Sequence, residues 1–305
     1  MRVVITGPTG AVGHALIEVC IENRVEVLAI CHKGSKRIKT LPASEYVKVL
    51  ELDLDEYESV SDIVLADYGT YDVFYHFAWN GTIGDVRNNM QIQHQNIGYA
   101  LSAVHLAKRL GCHTFIGAGS QAEYGRVDGV LRPNTPTFPE NGYGIAKLCA
   151  GQMTRIECQK LKIKHIWMRI LSIYGPYDGE KTMITSTIRK LLAGEVPEFT
   201  KGEQLWDYLY SKDAGRAMLL LGQKGVDGRI YPIGSGKTKP LHEYIELMRD
   251  AIDPELLLAI GAIPYAPKQV MHLCADISQL TEDTGFVPEI SFEEGIKETI
   301  EWAKY

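Results

Sequence analysis

Gly7, Gly10 and Gly13 arrive three residues apart, straight after a β-branched run at residues 2–5. Straight after them, Ala15, Leu16, Val19 and Cys20 fall at helical spacing. The run has the composition of a buried strand, so the glycines sit on a strand-to-helix turn. In that context each glycine has a physical role. The first permits the tight turn, the second lets a pyrophosphate reach the backbone, and the third lets helix and strand pack closely. The unpaired N–H groups at the helix start then face an anion. Dinucleotide binding is the expectation, with Thr9, Ala11 and Val12 contributing beside the glycines. No Gly-Lys-Ser/Thr follows, so the turn is not a Walker A loop.

A turn of this kind needs a parallel sheet behind it, and the rest of the chain supplies one. Strand-like runs occupy residues 25–31, 46–52, 71–77, 113–118 and 164–170. Helical patterns lie between them at residues 16–22, 60–66, 88–110 and 143–161. This alternation predicts an α/β fold, a doubly wound parallel sheet of the Rossmann kind. After about residue 174 the pattern loosens, and Pro176, Gly179, Pro197 and Gly202 punctuate short elements. Residues 1–174 are therefore expected to form the dinucleotide-binding domain, with a later return near 206–234. Residues 175–305 would be mainly a smaller α/β substrate-binding region, with a strand at 206–210 and helices at 213–221, 241–251 and 292–303.

Composition narrows the partners. The net charge of −6 and the lack of any basic block argue against nucleic acid. The six cysteines form no CxxC pair and no metal-ligand spacing with histidine, so no metal is expected. No apolar run approaches a membrane span, and nothing before the first strand reads as a signal peptide. A cytosolic location with reduced cysteines is the expectation.

The end of the second strand bears on the cofactor. NAD-binding turns place an acid there for the ribose 2′-hydroxyl. Here the chain reads Cys31-His32-Lys33, followed by Ser35, Lys36 and Arg37. Such cations with a hydroxyl suit a 2′-phosphate, so NADP is expected, with NAD the alternative. The same residues also read as an ordinary solvated loop. Asp53, followed by Leu54, ends the third strand and is placed to bond the adenine amino group. Its other reading is a helix cap.

Carbonyl reduction at neutral pH needs a hydride donor and an acid for the developing alkoxide. A free tyrosine titrates near 10, too high to act unaided. A lysine four residues on along a helix lies on the same face, and its charge favours tyrosinate. Three Tyr-x-x-x-Lys pairs occur: Tyr143/Lys147, Tyr177/Lys181 and Tyr208/Lys212. Tyr177 follows Gly175-Pro176 in a loop, and Tyr208 lies in a strand-like run. Only Tyr143 opens a helix between the fifth and sixth strands. Ser120, at the carboxyl end of the fifth strand, is then placed to polarise the same oxygen.

With these residues in view the chain resembles the extended short-chain dehydrogenase/reductases, the nucleotide-sugar epimerase, dehydratase and reductase family. The resemblance spans essentially the whole chain. Its landmarks are the glycine turn, Asp53-Leu54, His76-Phe77-Ala78, Asn96, Ser120 before Tyr124-Gly125, Tyr143-Gly144-x-x-Lys147, Arg169 before Tyr174-Gly175-Pro176, and Asp207-Tyr208. It implies a Ser120–Tyr143–Lys147 triad, with Lys147 also holding the nicotinamide ribose. It implies cofactor contacts from Phe77, Ala78, Trp79 and Asn96. It further implies a nucleotide-diphosphate sugar substrate and a homodimer through the two long helices. Arg169 reads as a structural cation.

Departures from the family pattern narrow the reaction. The 4,6-dehydratases carry an Asp-Glu pair after the catalytic hydroxyl, where this chain has Gln121-Ala122; Glu123 is one place off and should point elsewhere. Ser172 and Trp206 stand where relatives carry an asparagine and an arginine for the substrate, and Lys268 is a candidate to compensate. Trp79, Gln121, Ser172, Trp206 and Lys268 are thus the expected substrate contacts. The basic loop favours an NADPH-dependent reductase of a 4-keto-6-deoxy sugar nucleotide, with Tyr143 as general acid. The alternative is a C4 epimerase on bound NAD with the same triad. A non-enzymatic NADP sensor is the third reading, weakened by the intact triad.

Overall fold

The computed structural model describes residues 1–305. Seven strands form one parallel sheet. Six are β1 (Arg2–Thr6), β2 (Glu26–Cys31), β3 (Val47–Glu51), β4 (Val73–His76), β5 (Thr114–Ser120) and β6 (Lys164–Ile170). The seventh is Ile230–Ile233, and the order is Ile230–Ile233, β6, β5, β4, β1, β2, β3. The order reverses at β1, so the crevice beyond its carboxyl end is the switch point where such folds bind ligands.

Helices cover both faces, and the pleat sorts the core between them. Val3 and Ile5 pack with Leu16 and Ile17 of α1 (Ala11–Glu22), whereas Val4 packs with Phe74, Phe115 and Val104 on the other face. That second face is covered by α2 (Asp62–Ala66), α3 (Met90–Arg109) and α4 (Gly142–Leu161), with α3 lying against α4. Burying each such Leu or Ile side chain contributes about 2 kcal/mol.

The remaining elements build the second lobe. The short strand β7 (Ser172–Tyr174) pairs in parallel with Tyr208–Tyr210. Helices α5 (Met183–Leu192), α7 (Leu241–Ile252) and α9 (Phe292–Ala303) close around Ile184, Ile188, Tyr244, Ile245, Phe292 and Ile296. Helix α6 (Ser211–Lys224) returns to pack on α1, and α8 (Ser278–Thr284) lies against α6.

Two expectations are corrected here. The strand expected at 206–210 is two strands, Leu205–Trp206 and Tyr208–Tyr210. They part at Asp207, whose buried carboxylate accepts bonds from Ser235 N and Oγ (both 2.7 Å), Ala275 N (3.0 Å) and Gly236 N (3.1 Å). Helix α1 begins at Ala11 rather than residue 16, so the third glycine lies inside its first turn.

Candidate active site

Two cavities meet at the glycine turn, sharing Gly7 and Trp79 on their walls. The outer one, about 350 Å³, is lined by Thr9, Ile30, His32, Ser35, Asp53, Leu54, Tyr57, Ala78 and Tyr99 among others. The inner one, about 330 Å³, is lined by Gly10, Ala11, Val12, Gly13, Phe77, Ser120, Tyr143, Lys147 and Asp178 among others.

The turn between them has the shape the glycine spacing predicts. A Cβ on Gly13 would stand 2.5 Å from the Gly7 carbonyl, so the helix lies too close for any side chain. A Cβ on Gly10 would meet nothing nearer than 3.9 Å on the protein side, which leaves the backbone open to an approaching group. Gly10 caps α1 without a side-chain bond, and no acid stands in the first turn. Free N–H groups and the positive end of the helix are therefore available to a pyrophosphate. The residues present fit a dinucleotide.

Tyr143 and Ser120 are brought together by two local devices. The Asn141 side chain accepts from Gly144 N at 2.8 Å, so α4 starts with Tyr143 in its first turn. Gly144 then presses on the turn after β5, where a Cβ would stand 2.4 Å from the Ala122 carbonyl. On that turn Ser120 Oγ accepts from Ala122 N at 3.2 Å. Burial pushes the Tyr143 phenol above its ordinary value, while the Ser120 hydroxyl and Arg87 pull it down. Arg87, which sequence reading missed, lies 4.6 Å from the ring centre.

Lys147 lies one turn along from Tyr143 and is buried. Its ammonium donates to the Ala118 carbonyl at 2.6 Å and stands 3.7 Å from the centre of the Trp79 ring. Burial pushes its pKa down to about 7, opposed by the negative charge of Glu123. Trp79 meets Tyr143 edge-on, and Gln93 fixes its indole N–H at 2.9 Å. Asp178 is the one carboxylate on the inner cavity wall. Nothing in the sequence marked it beyond its place after Gly175-Pro176.

Several predicted residues lie elsewhere. Lys33 turns its amine to Glu56, while its backbone N–H donates to Asp53 at 2.9 Å. Arg37 reaches the Tyr177 carbonyl at 3.2 Å, and neither Lys36 nor Arg37 lines the outer cavity. The expected cationic pocket is thus not assembled. Glu51, Asp53 and Glu56 tie down the same loop, with Glu51 accepting from Gly34 N at 2.8 Å and Asp53 pairing with His32. Glu56 takes the Lys33 amine and the Tyr177 carbonyl takes Arg37, and the linear sequence hid both because the partners lie 23 and 140 residues on.

Asn96 also stays off both cavity walls. Its amide clasps the Asn80 backbone on both sides, at 3.0 and 2.8 Å, and so holds the loop carrying Trp79. Ser172 and Trp206 bond each other at 2.8 Å and line neither cavity. Gln121 lies beside the site on the turn but not on its walls, and Lys268 is exposed near Glu140. Glu123 points away from the cavity, as its offset position predicts, to Trp167 and Arg169.

Comparison with known proteins identifies the family. The pattern of the NAD dependent epimerase/dehydratase family matches residues 3–234. The chain is 24% identical to a putative UDP-glucose 4-epimerase of Methanocaldococcus jannaschii, over 99% of this chain and 98% of that one. It is 23% identical to a dTDP-glucose 4,6-dehydratase of Streptomyces niveus, over 99% and 92%. Among solved structures, a UDP-N-acetylglucosamine 4-epimerase from Methanobrevibacter ruminantium superposes with a TM-score of 0.87 at 22% identity, covering 99% of this chain and 97% of that one. A UDP-glucuronic acid 4-epimerase from Bacillus cereus, in complex with NAD, gives 0.85 at 19% identity, over 100% and 99%. No helix is long and apolar enough to cross a membrane. This chain belongs to the NAD-dependent epimerase/dehydratase family.

Proposed function

We propose that the protein is an NAD-dependent 4-epimerase of a uridine-diphosphate sugar. One observation carries the reading: Ser120, Tyr143 and Lys147 line the cavity onto which the uncapped start of α1 opens. The epimerase names among its relatives and structural neighbours support the same reaction class. The loop after β2 supports NAD over NADP, because three acids surround it and would repel a 2′-phosphate. That displaces the NADPH-dependent reductase, which rested on the same loop being free and cationic. Dehydratases also occur among the relatives, but here Glu123 is bonded to Arg169 and Trp167 and is not free to serve as an acid.

In this reading Asp53, Leu54, Thr9 and the glycine turn hold the cofactor. NAD, held there, would supply the acceptor for the C4 hydride and, once reduced, the donor of that hydride to the opposite face of the sugar. Tyr143 takes the proton of the C4 hydroxyl and later gives it back. Ser120 donates to the C4 oxygen in both forms. The Lys147 charge favours the phenolate that Tyr143 needs as base. The nucleotide end of the substrate enters a separate cavity of about 270 Å³ between α5 and α7, lined by Lys190, Phe199 and Gln204 among others. A second copy packs on α3 and α4, which expose Met90, Ile145, Met153 and Ile156.

The test is the cofactor itself. Protein purified without added nucleotide and then denatured should release NAD, not NADP. Emptied protein should rebind NAD more tightly than NADP, and changing both Lys36 and Arg37 to Ala should leave that preference unaltered. A strong preference for NADP that those changes abolish would overturn the cofactor assignment.

A further inference from the structure

We propose that Glu123 is a positioning residue of this site: its carboxylate fixes Ser120 through the backbone and acts as the electrostatic partner of Lys147. The inference rests on Ser120, Tyr143 and Lys147 being the reacting set.

The geometry is that of a clamp. One carboxylate oxygen of Glu123 accepts from Ser120 N at 2.8 Å and from the Trp167 indole at 3.0 Å. The other accepts from Arg169 Nε at 2.8 Å. The Glu123 side chain is 0% exposed and that of Arg169 3%. Burying such a pair gains little stability over an apolar one, because desolvation cancels most of the attraction. A neutral acceptor would also satisfy the Ser120 N–H. A charge kept at this cost one turn from the reacting hydroxyl therefore calls for a use other than stability.

That use is visible on the cavity side. Arg169, paired with Glu123 at 2.8 Å, also lies over the Tyr124 ring at 4.4 Å and donates to the Pro133 carbonyl at 3.3 Å. Lys147 shares the cavity wall with Tyr143 on its own helix and Asp178 from the loop after β7, His76 on β4 feels its charge, and Arg87 before α3 stands over the Tyr143 ring. His76 is buried and held neutral, so it supplies no charge. Glu123 opposes the desolvation of Lys147 and also acts on Tyr143. Lys147 donates to the Ala118 carbonyl at 2.6 Å, two residues before the Ser120 N–H that Glu123 holds at 2.8 Å, so both charged groups are anchored on the same end of β5.

Two variants separate this role from packing. Glu123→Gln keeps an oxygen for Ser120 but removes the charge. Glu123→Leu combined with Arg169→Met replaces the pair by apolar side chains of similar size and guards against a stranded charge. On a UDP-sugar, both should lower kcat by about tenfold or more, the effect of one lost charge-assisted hydrogen bond, with KM nearly unchanged. The alkaline limb of the kcat profile should move to lower pH in Glu123→Gln. In protein carrying 13C-labelled lysine, the Lys147 Cε resonance, identified by its loss in Lys147→Met, should titrate at lower pH in the same variant. That readout needs no turnover. Should wild-type protein be inert on sugar nucleotides while the resonance still shifts, the reaction assignment falls and the coupling of Glu123 to Lys147 stands. Wild-type kcat in the double variant, or an unmoved Lys147 titration in Glu123→Gln, would overturn the proposal.

Discussion

The Lys147 ammonium stands 3.7 Å from the centre of the Trp79 ring and donates to the Ala118 carbonyl, so an indole and a carbonyl hold it beside Tyr143. A desolvated cation over an indole gains about 2 kcal/mol. Trp79→Ala should therefore lower kcat by roughly tenfold or more, whereas Trp79→Phe, which keeps a ring, should lose less. Steady-state kinetics of the two variants check the order.

Lys147 also imposes a pH dependence on stability. Its folded pKa of about 7 lies below the unfolded value near 10.4. Between those values the unfolded chain binds the extra proton, so stability rises with pH. Buried thiols such as Cys20 have raised folded values and oppose this rise once unfolded thiols ionise, near pH 8.5. The window attributable to Lys147 is therefore about pH 7 to 8.5, and the gain across it is on the order of 1–2 kcal/mol. Denaturant titrations should show the rise in cofactor-free wild-type protein and a flatter profile in Lys147→Met.

Gly144→Ala tests how Tyr143 meets Ser120. The added Cβ would stand 2.4 Å from the Ala122 carbonyl, so helix and turn must part. Overpacking of this kind costs about 1–3 kcal/mol. The loss in kcat should exceed the loss in NAD affinity, because the glycine turn at β1 is remote from the contact. Equal losses would show that α4 does not set the Tyr143–Ser120 geometry.

Asn96 carries a structural prediction. Asn96→Ala strands both Asn80 backbone groups and should cost about 1–3 kcal/mol in stability. It should also loosen the loop that carries Trp79, read as a fall in backbone hydrogen-exchange protection around residues 78–81.

The sequence exposed what is local. The glycine turn, the alternation of strands and helices, and Tyr143 four residues before Lys147 each arise from neighbours in the chain. It hid what long-range charge decides. Lys33 read as a phosphate ligand because nothing nearby opposed it, yet Glu56, 23 residues on, takes its amine. Ser172 and Trp206 read as separate substrate contacts, but folding across 34 residues bonds them to each other. The strand at Ile230–Ile233 escaped notice because Pro232 interrupts its pattern, which an edge strand tolerates.

The most direct measurement follows C4 configuration by proton NMR in UDP-glucose, UDP-N-acetylglucosamine and UDP-glucuronic acid incubated with the purified protein and no added cofactor. Inversion at C4 of at least one of them, to an equilibrium mixture with no net redox change and abolished in Tyr143→Phe, is the predicted result. No inversion in any of the three, together with NADPH consumption on a 4-keto sugar nucleotide, would contradict it.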